Sequence, residues 1–314
     1  MKITIFTSTF NRVRGLLRLI ESLEEQTYTN WEFIIVDDGS ADNTEEKISD
    51  NISEKISYFN FIENKGHPEA LFNIDICSKI DGDLVIFIGS DDFFYDKYSL
   101  QKVIDKVTSL GSDVWKIGFS WVHENALDEG DDHFSQLPNM VSFNNDEVVQ
   151  DSYFQSDYLF VYRRKYWEAF STYFISGDHF FSAFYDVALN NCYREIFFRE
   201  VIVIAGWGED NLTKGNNAEK YFNWSLLHQK YMLSKYNDRM GPNYLNYSYR
   251  SFLRSSMSHG VERSKSFKIA NKAVVMSFKF FLTGLLGYVA AIWPFPRFVW
   301  HLKRILLKRQ KKRG

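Results

Sequence analysis

The fold is decided by residues 3–40, ITIFTSTFNRVRGLLRLIESLEEQTYTNWEFIIVDDGS. The apolar run at 3–7 predicts a short strand, and 33–40 predicts a second buried strand that ends in a turn. Between them apolar residues recur at helical spacing, namely Val13, Leu16, Leu17, Ile20 and Leu23. They predict an amphipathic helix from an N-cap at Asn11 to about Gln26. A strand, a helix and a strand in this order indicate a parallel α/β sheet.

The same alternation continues along the chain. Asp42 is a candidate cap for a second helix that opens after residue 40. Further strands are predicted over 58–64, 84–89, 114–119 and 199–207, and further helices over 68–80, 99–110 and 178–192. Residues 217–273 are predicted to be mostly helical. We therefore expect an α/β fold with a mostly parallel sheet that helices cover on both faces.

Polar and acidic residues follow each strand of the first hundred residues. The strand ends are Thr7–Thr9, Asp37–Ser40, Glu63–Gly66 and Gly89–Asp92. Ligands of open α/β sheets bind beyond the carboxyl ends of the strands. The sequence therefore predicts a polar ligand site at this edge.

Composition bounds the class of protein. Of 314 residues, 45% are hydrophobic and 18% aromatic, which is enough for a sizeable core. The two cysteines, Cys77 and Cys192, have no metal-type spacing, which favours a reduced, intracellular protein. Met1 leads directly into a predicted core strand, so we expect no signal peptide and a cytoplasmic location.

Charge is distributed unevenly. Residues 1–160 carry 12 basic and 30 acidic side chains, a balance of −18, whereas 161–314 carry 25 and 10, a balance of +15. The acidic half disfavours nucleic acid as a partner, because it would repel phosphate backbones. Residues 303–314 hold seven basic side chains and no acidic one, which suits an anionic membrane surface.

The segment before this basic tail is apolar. Residues 280–296 are 17 consecutive uncharged residues interrupted by glycine and proline. This run is short for a membrane span, so a helix at the interface is predicted, anchored by Tyr288, Trp293 and Trp300. A buried terminal helix or a contact in a homo-oligomer remains an alternative. We expect 274–314 to hold the protein peripherally at the inner face of the plasma membrane.

These residues resemble a known family. The opening quoted above is similar to that of glycosyltransferase family 2, and NKG at 64–66, GD at 82–83 and SDD at 90–92 continue the match in order. The resemblance implies a GT-A fold and transfer of a sugar from a nucleotide donor with inversion. It also implies a catalytic domain at 1–215, with a nucleotide-binding half (1–120) and an acceptor-binding half (121–215). A helical region at 216–314 would follow.

The resemblance also implies the donor-binding residues. Asp37 or Asp38 would bind the uracil ring, with Thr7 and Thr9 nearby, and a carboxylate suits the imide N–H. Alone, this Asp-Gly-Ser stretch is more typical of a turn, and the context of the family reverses that preference. The further donor-binding candidates are Asn11, Lys65, Asn73, Ser90 and Asp92. The family often carries an arginine where this chain has Phe72, and Lys65 or His67 would substitute for it.

A metal site is implied where the family has Asp-x-Asp. Gly89 stands at the first position of this motif and Asp91 at the second. We therefore predict Asp91 as the ligand of Mg²⁺ or Mn²⁺ on the donor diphosphate, because such ions take few carboxylates plus phosphates and waters. The alternative is that Asp91 and Asp92 cap a helix beginning near Phe93.

The catalytic base is implied about a hundred residues further on. Asp178 follows Gly177 at a predicted helix start and would take the proton of the acceptor hydroxyl. A plain N-cap is the alternative. Lesser candidates for the base are Glu168, Asp186 and Asp210. His179 would either contact the acceptor or pack in the core or at the surface. The loop 206–215 would either close over the donor or be an ordinary surface loop bounded by glycines.

The function that these residues imply is an inverting, metal-dependent transfer from a UDP-sugar. The acceptor would be a growing polysaccharide or a polyprenyl-diphosphate-linked oligosaccharide. Two other classes stay open. A nucleotidyltransferase would need a Gly- or basic-rich phosphate loop, which Ser8–Asn11 is not. A catalytically degenerate relative would bind a nucleotide or a partner protein without turnover, as Gly89 and Phe72 would allow.

Overall fold

The predicted alternation of strands and helices is present. The structure, a computed structural model, describes residues 1–64, 74–124, 140–144, 158–175, 186–187 and 190–206. The strands are β1 (Ile3–Thr9), β2 (Trp31–Asp37), β3 (Ile56–Asn60), β4 (Leu84–Phe87), β5 (Phe93–Phe94), β6 (Val114–His123), β7 (Met140–Asn144), β8 (Tyr158–Arg163) and β9 (Arg194–Ala205). The helices are α1 (Val13–Glu24), α2 (Thr44–Ile48), α3 (Ile74–Cys77), α4 (Ser99–Thr108) and α5 (Arg164–Ile175), with a 3₁₀ turn at Ser49–Asn51.

The described strands form one nine-stranded sheet of order β3-β2-β1-β4-β8-β6-β9-β5, with β7 also on β9. Strands β3, β2, β1 and β4 are parallel. Strand β8 lies antiparallel between β4 and β6, whereas β9 is parallel to β6 and antiparallel to β5 and β7. The predicted α/β class is confirmed. The parallel part is the one whose strand ends carry the predicted site.

Helix α1 covers this parallel part because its apolar residues share one face. Its buried side chains are Leu16, Leu19, Ile20 and Leu23. They pack in one core cluster with strand residues such as Ile5 and Phe33. The helix starts one residue later than predicted: Arg12 is the residue before it, without a side-chain cap, and Asn11 is in the left-handed region with φ 54°. The predicted N-cap at Asn11 is therefore wrong.

Two predicted strands have different bounds. Strand β3 ends at Asn60 rather than 64, and Ile62 beyond it is fully exposed. Strand β9 begins at Arg194 rather than 199. Its early part contains Glu195, which is buried opposite Lys116 of β6, with 3.0 Å between Lys116 Nζ and Glu195 Oε2. A buried ion pair breaks the apolar pattern without breaking the strand.

Strand β8 and helix α5 are not among the elements that the sequence patterns predict. Strand β8 ends at Arg163, and α5 begins at the next residue. The aromatic residues Tyr166, Trp167 and Phe170 of α5 are buried, and Trp167 meets Phe6 of β1 edge-on at 5.1 Å between ring centroids. Helix α5 therefore packs against the parallel part of the sheet.

All described residues belong to one compact unit, Met1–Val149 with Tyr153–Glu209. The predicted helical region at 216–314, with its membrane-associating segment at 274–314, lies outside the described residues. None of the helices within the described ranges is long and apolar enough to cross a bilayer. The domain bounds remain predictions.

Candidate functional site

Three predicted strand ends lie side by side. Thr9 at the end of β1 is paired with Asp37 at the end of β2, and the Asp38 N–H donates to the Thr9 carbonyl at 2.9 Å. On the other side of β1, the Ile88 N–H donates to the Phe6 carbonyl at 3.2 Å. The residues that follow β4 therefore stand beside those that follow β1 and β2.

Thr9 carries an unsatisfied hydroxyl at this edge. Its side chain is 2% exposed, and its Oγ1 has no hydrogen-bond partner within the part of the chain that the structure describes. A buried hydroxyl of this kind is normally paired in a folded protein. Thr7, two residues earlier on the same face, is fully buried, and its Oγ1 makes only a long 3.4 Å contact with the Ser8 carbonyl. Thr9 is the better placed of the two to meet a ligand.

The two carboxylates after β2 differ in their surroundings. Asp37 Oδ1 accepts from the Ser40 N–H at 2.7 Å, and its Oδ2 accepts from the Tyr58 hydroxyl at 2.6 Å. Burial, and then the Asp37 carboxylate, raise the pKa of Tyr58 well above its usual range. Gly39 makes this turn with φ 81°. Both oxygens of Asp37 are thus used inside the protein, while Asp38 follows it, also buried.

Asn11 links the loop after β1 to the loop after β2 by hydrogen bonds. Its backbone N–H donates to Ser40 Oγ at 2.8 Å, and its side-chain oxygen accepts from the Ala41 N–H at 2.7 Å. The backbone N–H of Val13, the first residue of α1, donates to Asp42 Oδ2 at 3.0 Å. Asp42, predicted as the cap of α2, thereby binds the first turn of α1, so the loop after β1 is fixed to the loop after β2.

The carboxylates after β4 belong to a turn, not to a helix. The Asp92 N–H donates to the Gly89 carbonyl at 3.1 Å, and β5 follows at Phe93, so the alternative that Asp91 and Asp92 cap a helix is wrong. Asp92 Oδ1 accepts from the Gly206 N–H at 3.0 Å. Burial, and then the charge of Asp91, raise the pKa of Asp92 to about 7.

Asp91 forms an ion pair that the sequence did not indicate. Its Oδ2 lies 3.0 Å from Nη1 of Arg12, and the two side chains are 25% and 17% exposed. Arg12 immediately precedes α1, and Asp91 follows β4. The pair therefore joins two of the three strand ends across the edge of the sheet.

The residues after β4 fit a divalent cation. A Cβ at Gly89 would lie 2.7 Å from Asp92 Oδ2 and 3.1 Å from Asp91 Oδ1, so the absent side chain leaves a space that one oxygen of each carboxylate borders. Mg²⁺ and Mn²⁺ take one or two carboxylates, with phosphates and waters in the other positions. No cluster of three or more His, Cys, Asp or Glu side chains suited to a metal occurs among the described residues.

Glycines bring the backbone close to this turn. A Cβ at Gly15 of α1 would lie 2.7 Å from the Ser90 carbonyl oxygen, and one at Gly206 would lie 2.0 Å from the Asp91 carbonyl oxygen. Ser90 itself is buried. The turn is held between α1 and the end of β9, which fixes where Asp91 stands.

Most of the remaining predicted residues lie in parts of the chain that the structure does not describe. Lys65, Asn73 and Asp178 lie outside the described residues, as do His67, His179 and Asp210. Of the lesser base candidates, Glu168 is exposed on α5 and Asp186 is buried.

Sequence reasoning missed two residues of the site, Arg12 and Tyr58. Arg12 could have been found, because it directly follows Asn11, close after the end of the first strand. Tyr58 comes from β3, and only the fold brings it here. Gly206 belongs to the loop that was predicted to cover the donor, and its contact with Asp92 was not indicated.

Sequence comparisons identify the family of this chain. The profile described as "Glycosyl transferase family 2" matches residues 4–170, more than half of the chain. An uncharacterized glycosyltransferase of Rickettsia felis is 38% identical over 102 residues, which is 32% of this chain and 16% of that protein. The poly(ribitol-phosphate) β-N-acetylglucosaminyltransferase TarS of Staphylococcus aureus is 29% identical over 128 residues, 39% of this chain and 22% of TarS. The chain spans a small part of both relatives' lengths.

Solved structures share the fold. The structure of S. aureus TarS 1-349 in complex with UDP-GlcNAc superposes with a TM-score of 0.56 and 18% identity, over 93% of this chain and 82% of that one. The longer TarS structure gives a TM-score of 0.55 at 15% identity, over 94% of this chain and 50% of the other. The predicted GT-A fold is confirmed.

Proposed function

Because this chain belongs to glycosyl transferase family 2, we propose that it transfers a sugar from a UDP-sugar to a growing polysaccharide or a lipid-linked oligosaccharide, with inversion. The observation that carries the proposal is the meeting of Thr9, Asp38 and Asp91 at neighbouring strand ends. Ligands of such sheets bind at this edge.

Asp38 is the residue that we assign to the uracil ring. Asp37 already accepts hydrogen bonds at both oxygens, from Ser40 and Tyr58, whereas the orphan hydroxyl of Thr9 lies on the strand end that accepts the Asp38 N–H. A carboxylate accepts from the uracil imide N–H, and a threonine hydroxyl can donate or accept. Asp37 holds the turn that presents them.

The diphosphate would lie at the turn after β4. A divalent cation held by Asp91, with Asp92 beside it, would supply positive charge against the departing diphosphate. Ser90 and the turn backbone are fixed between Gly15 and Gly206, which keeps the carboxylates at the strand end. Lys65 and Asn73 remain proposed donor contacts, and Asn11 contributes by holding the loop after β1.

Asp178 is proposed as the general base. It would take the proton from the acceptor hydroxyl while that oxygen displaces the nucleotide diphosphate from the anomeric carbon. One displacement inverts the configuration and needs one base. A lipid-linked acceptor would be met at the inner face of the plasma membrane, with the segment 274–314 on the bilayer surface.

The test is titration calorimetry of the full chain with UDP and Mn²⁺, followed by a panel of UDP-sugars with a crude lipid-linked acceptor fraction. We expect Asp38→Asn to weaken UDP binding by about 1 kcal/mol, since the bond from the imide N–H to a charged carboxylate becomes a bond to a neutral amide oxygen. Asp178→Asn should retain UDP binding and lose transfer. Asp113→Asn, on the surface beside Arg194, is the control. UDP binding that Asp38→Asn leaves unchanged would contradict the assignment.

A second function has one observation in its favour. Gly89 removes a carboxylate from the metal motif, and Arg12 already neutralises Asp91, as in a protein that binds a nucleotide without turnover. UDP binding that needs no metal, together with no donor hydrolysis, would support this binding module over the transferase.

A further inference from the structure

We propose that Arg12 is a positioning residue with two partners in turn. It neutralises Asp91 before the donor arrives, and it turns to the donor diphosphate once Asp91 has taken a divalent cation. This inference rests on the proposed function, but its first half concerns the protein and the cation alone.

The starting contact is part of the structure. Arg12 Nη1 and Asp91 Oδ2 are 3.0 Å apart, and both side chains are more than two-thirds shielded from solvent. Partial burial makes such a pair stronger than an exposed ion pair, because water screens it less. Removing the guanidinium leaves the carboxylate with a net charge that a cation can meet.

Arg12 is held in place from both sides. Asn11 before it has φ 54° and accepts from the Ala41 N–H, and Val13 after it donates to Asp42 Oδ2. These bonds fix the backbone on either side of Arg12, and neither uses its guanidinium. An arginine side chain has several rotatable bonds. The guanidinium can therefore change partners while its Cα stays at the strand end.

The two oxygens of Asp91 face different directions. Oδ2 meets Arg12, whereas Oδ1 borders the space that a side chain at Gly89 would fill, with Asp92 Oδ2 on its other side. A cation in this space would share the carboxylate with a guanidinium of like charge. Each weakens the hold of the other on Asp91, and the guanidinium is the partner that can leave by rotation about its own side-chain bonds.

The released guanidinium has a suitable second partner. Arginine forms paired hydrogen bonds to phosphate oxygens, which a lysine ammonium does not match. In this chain Phe72 stands where the resemblance leads one to expect an arginine, so a cation for the diphosphate has to come from elsewhere. Arg12 at the start of α1 lies at the same edge as Asp91.

The exchange predicts opposite effects on two ligands. In Arg12→Gln, Mn²⁺ alone should bind about fivefold more tightly, because nothing competes for Asp91. UDP in saturating Mn²⁺ should bind about tenfold more weakly, because the diphosphate loses its guanidinium. Arg12→Lys should keep the Mn²⁺ affinity near that of wild type and lose part of the UDP affinity.

The experiment uses the full chain. Mn²⁺ binding is followed by the EPR signal of the free ion, and UDP binding by titration calorimetry. Arg18→Gln is the matched control: Arg18 lies on the same helix and pairs with Glu124, with 2.6 Å between Nη2 and Oε1 and both side chains exposed. It should change neither affinity. Melting curves of all variants check that they are folded.

Several results would overturn the exchange. They are an Mn²⁺ affinity in Arg12→Gln that is unchanged, reduced or unmeasurable, or a UDP affinity that is unchanged. A wild-type protein that binds no UDP under any condition would instead remove the proposed function, and the Mn²⁺ measurement would still decide whether Arg12 competes for Asp91.

Discussion

Asp92→Asn should stabilise the protein, and increasingly so as the pH rises. Burial and the charge of Asp91 raise the pKa of Asp92 from 3.8 to about 7 in the folded state. The folded protein therefore binds this proton more tightly than the unfolded chain, so wild-type stability falls as the pH rises between these two values. Asparagine carries no charge and can still accept the hydrogen bond of the Gly206 N–H.

The size of the effect follows from the pKa difference. One pKa unit corresponds to about 1.4 kcal/mol, so the advantage of the variant should grow from about 1 kcal/mol at pH 4.5 to about 4 kcal/mol at pH 8. Urea unfolding of the full chain with a chelator and no nucleotide, followed by tryptophan fluorescence, gives the two free energies of unfolding.

Asp113→Asn is the control. The hydrogen bond from Arg194 lowers the pKa of Asp113. Its stabilisation is therefore present above the ordinary pKa and disappears only as the pH falls through the lowered one. The small loss in free energy of unfolding that Asp113→Asn causes should thus be constant between pH 4.5 and 8. An Asp92→Asn advantage that is equally constant, or that shrinks towards pH 8, would refute the reasoning.

Two further predictions concern packing. Lys116→Met should lower the free energy of unfolding by about 3–5 kcal/mol, because Glu195 stays buried without its cation. Adding Glu195→Gln should recover most of this loss. If urea unfolding shows the double variant to be as unstable as the single one, the explanation is wrong. Gly206→Ala should weaken UDP binding in calorimetry, because its Cβ would lie 2.0 Å from the Asp91 carbonyl oxygen. Gly111→Ala is the control: its Cβ meets the movable Asp113 side chain, so it should leave UDP binding unchanged. Equal effects of the two variants on UDP binding would rule out the backbone clash.

The parallel part of the fold was predictable because local patterns determine it. Strands β1, β2 and β4 are continuous apolar runs, and the buried face of α1 follows from the spacing of its leucines. Polar residues directly after these strands could be assigned to one edge, because parallel strands end on the same side. The location of Thr9, Asp38 and Asp91 at this edge of the sheet is therefore predictable from the sequence, whereas their roles stay predictions.

The remainder depends on partners that are distant in the sequence. Glu195 interrupts the apolar pattern of β9, and its partner Lys116 lies on another strand. The apolar residues Phe61 and Ile62 extended the predicted third strand, but Ile62 is fully exposed, so no burial stabilises a strand there. Strand β8 passes into α5 without a turn residue, so no glycine or proline marked the boundary.

The site showed the same division. The sequence supplied Asp91, but not the guanidinium that meets it, since Arg12 approaches only when α1 packs on the turn after β4. The sequence does not distinguish Asp37 from Asp38, and it does not show that Asp37 accepts a hydrogen bond from the Tyr58 hydroxyl, which is there because β3 lies beside β2. Roles that depend on neighbouring strands cannot be assigned from a strand's own residues.

The two bonds between the loops after β1 and β2 have an evolutionary consequence. The Asn11 side-chain oxygen accepts from the Ala41 N–H, and the Asn11 N–H donates to Ser40 Oγ. Each bond needs a particular side chain at one end and only backbone at the other. Homologous sequences should therefore be restricted at positions 11 and 40 separately, whereas position 41 should tolerate any residue except proline, which has no N–H. A lineage that lost one of the two side chains would keep the other bond, and with it part of the support for the arginine that follows.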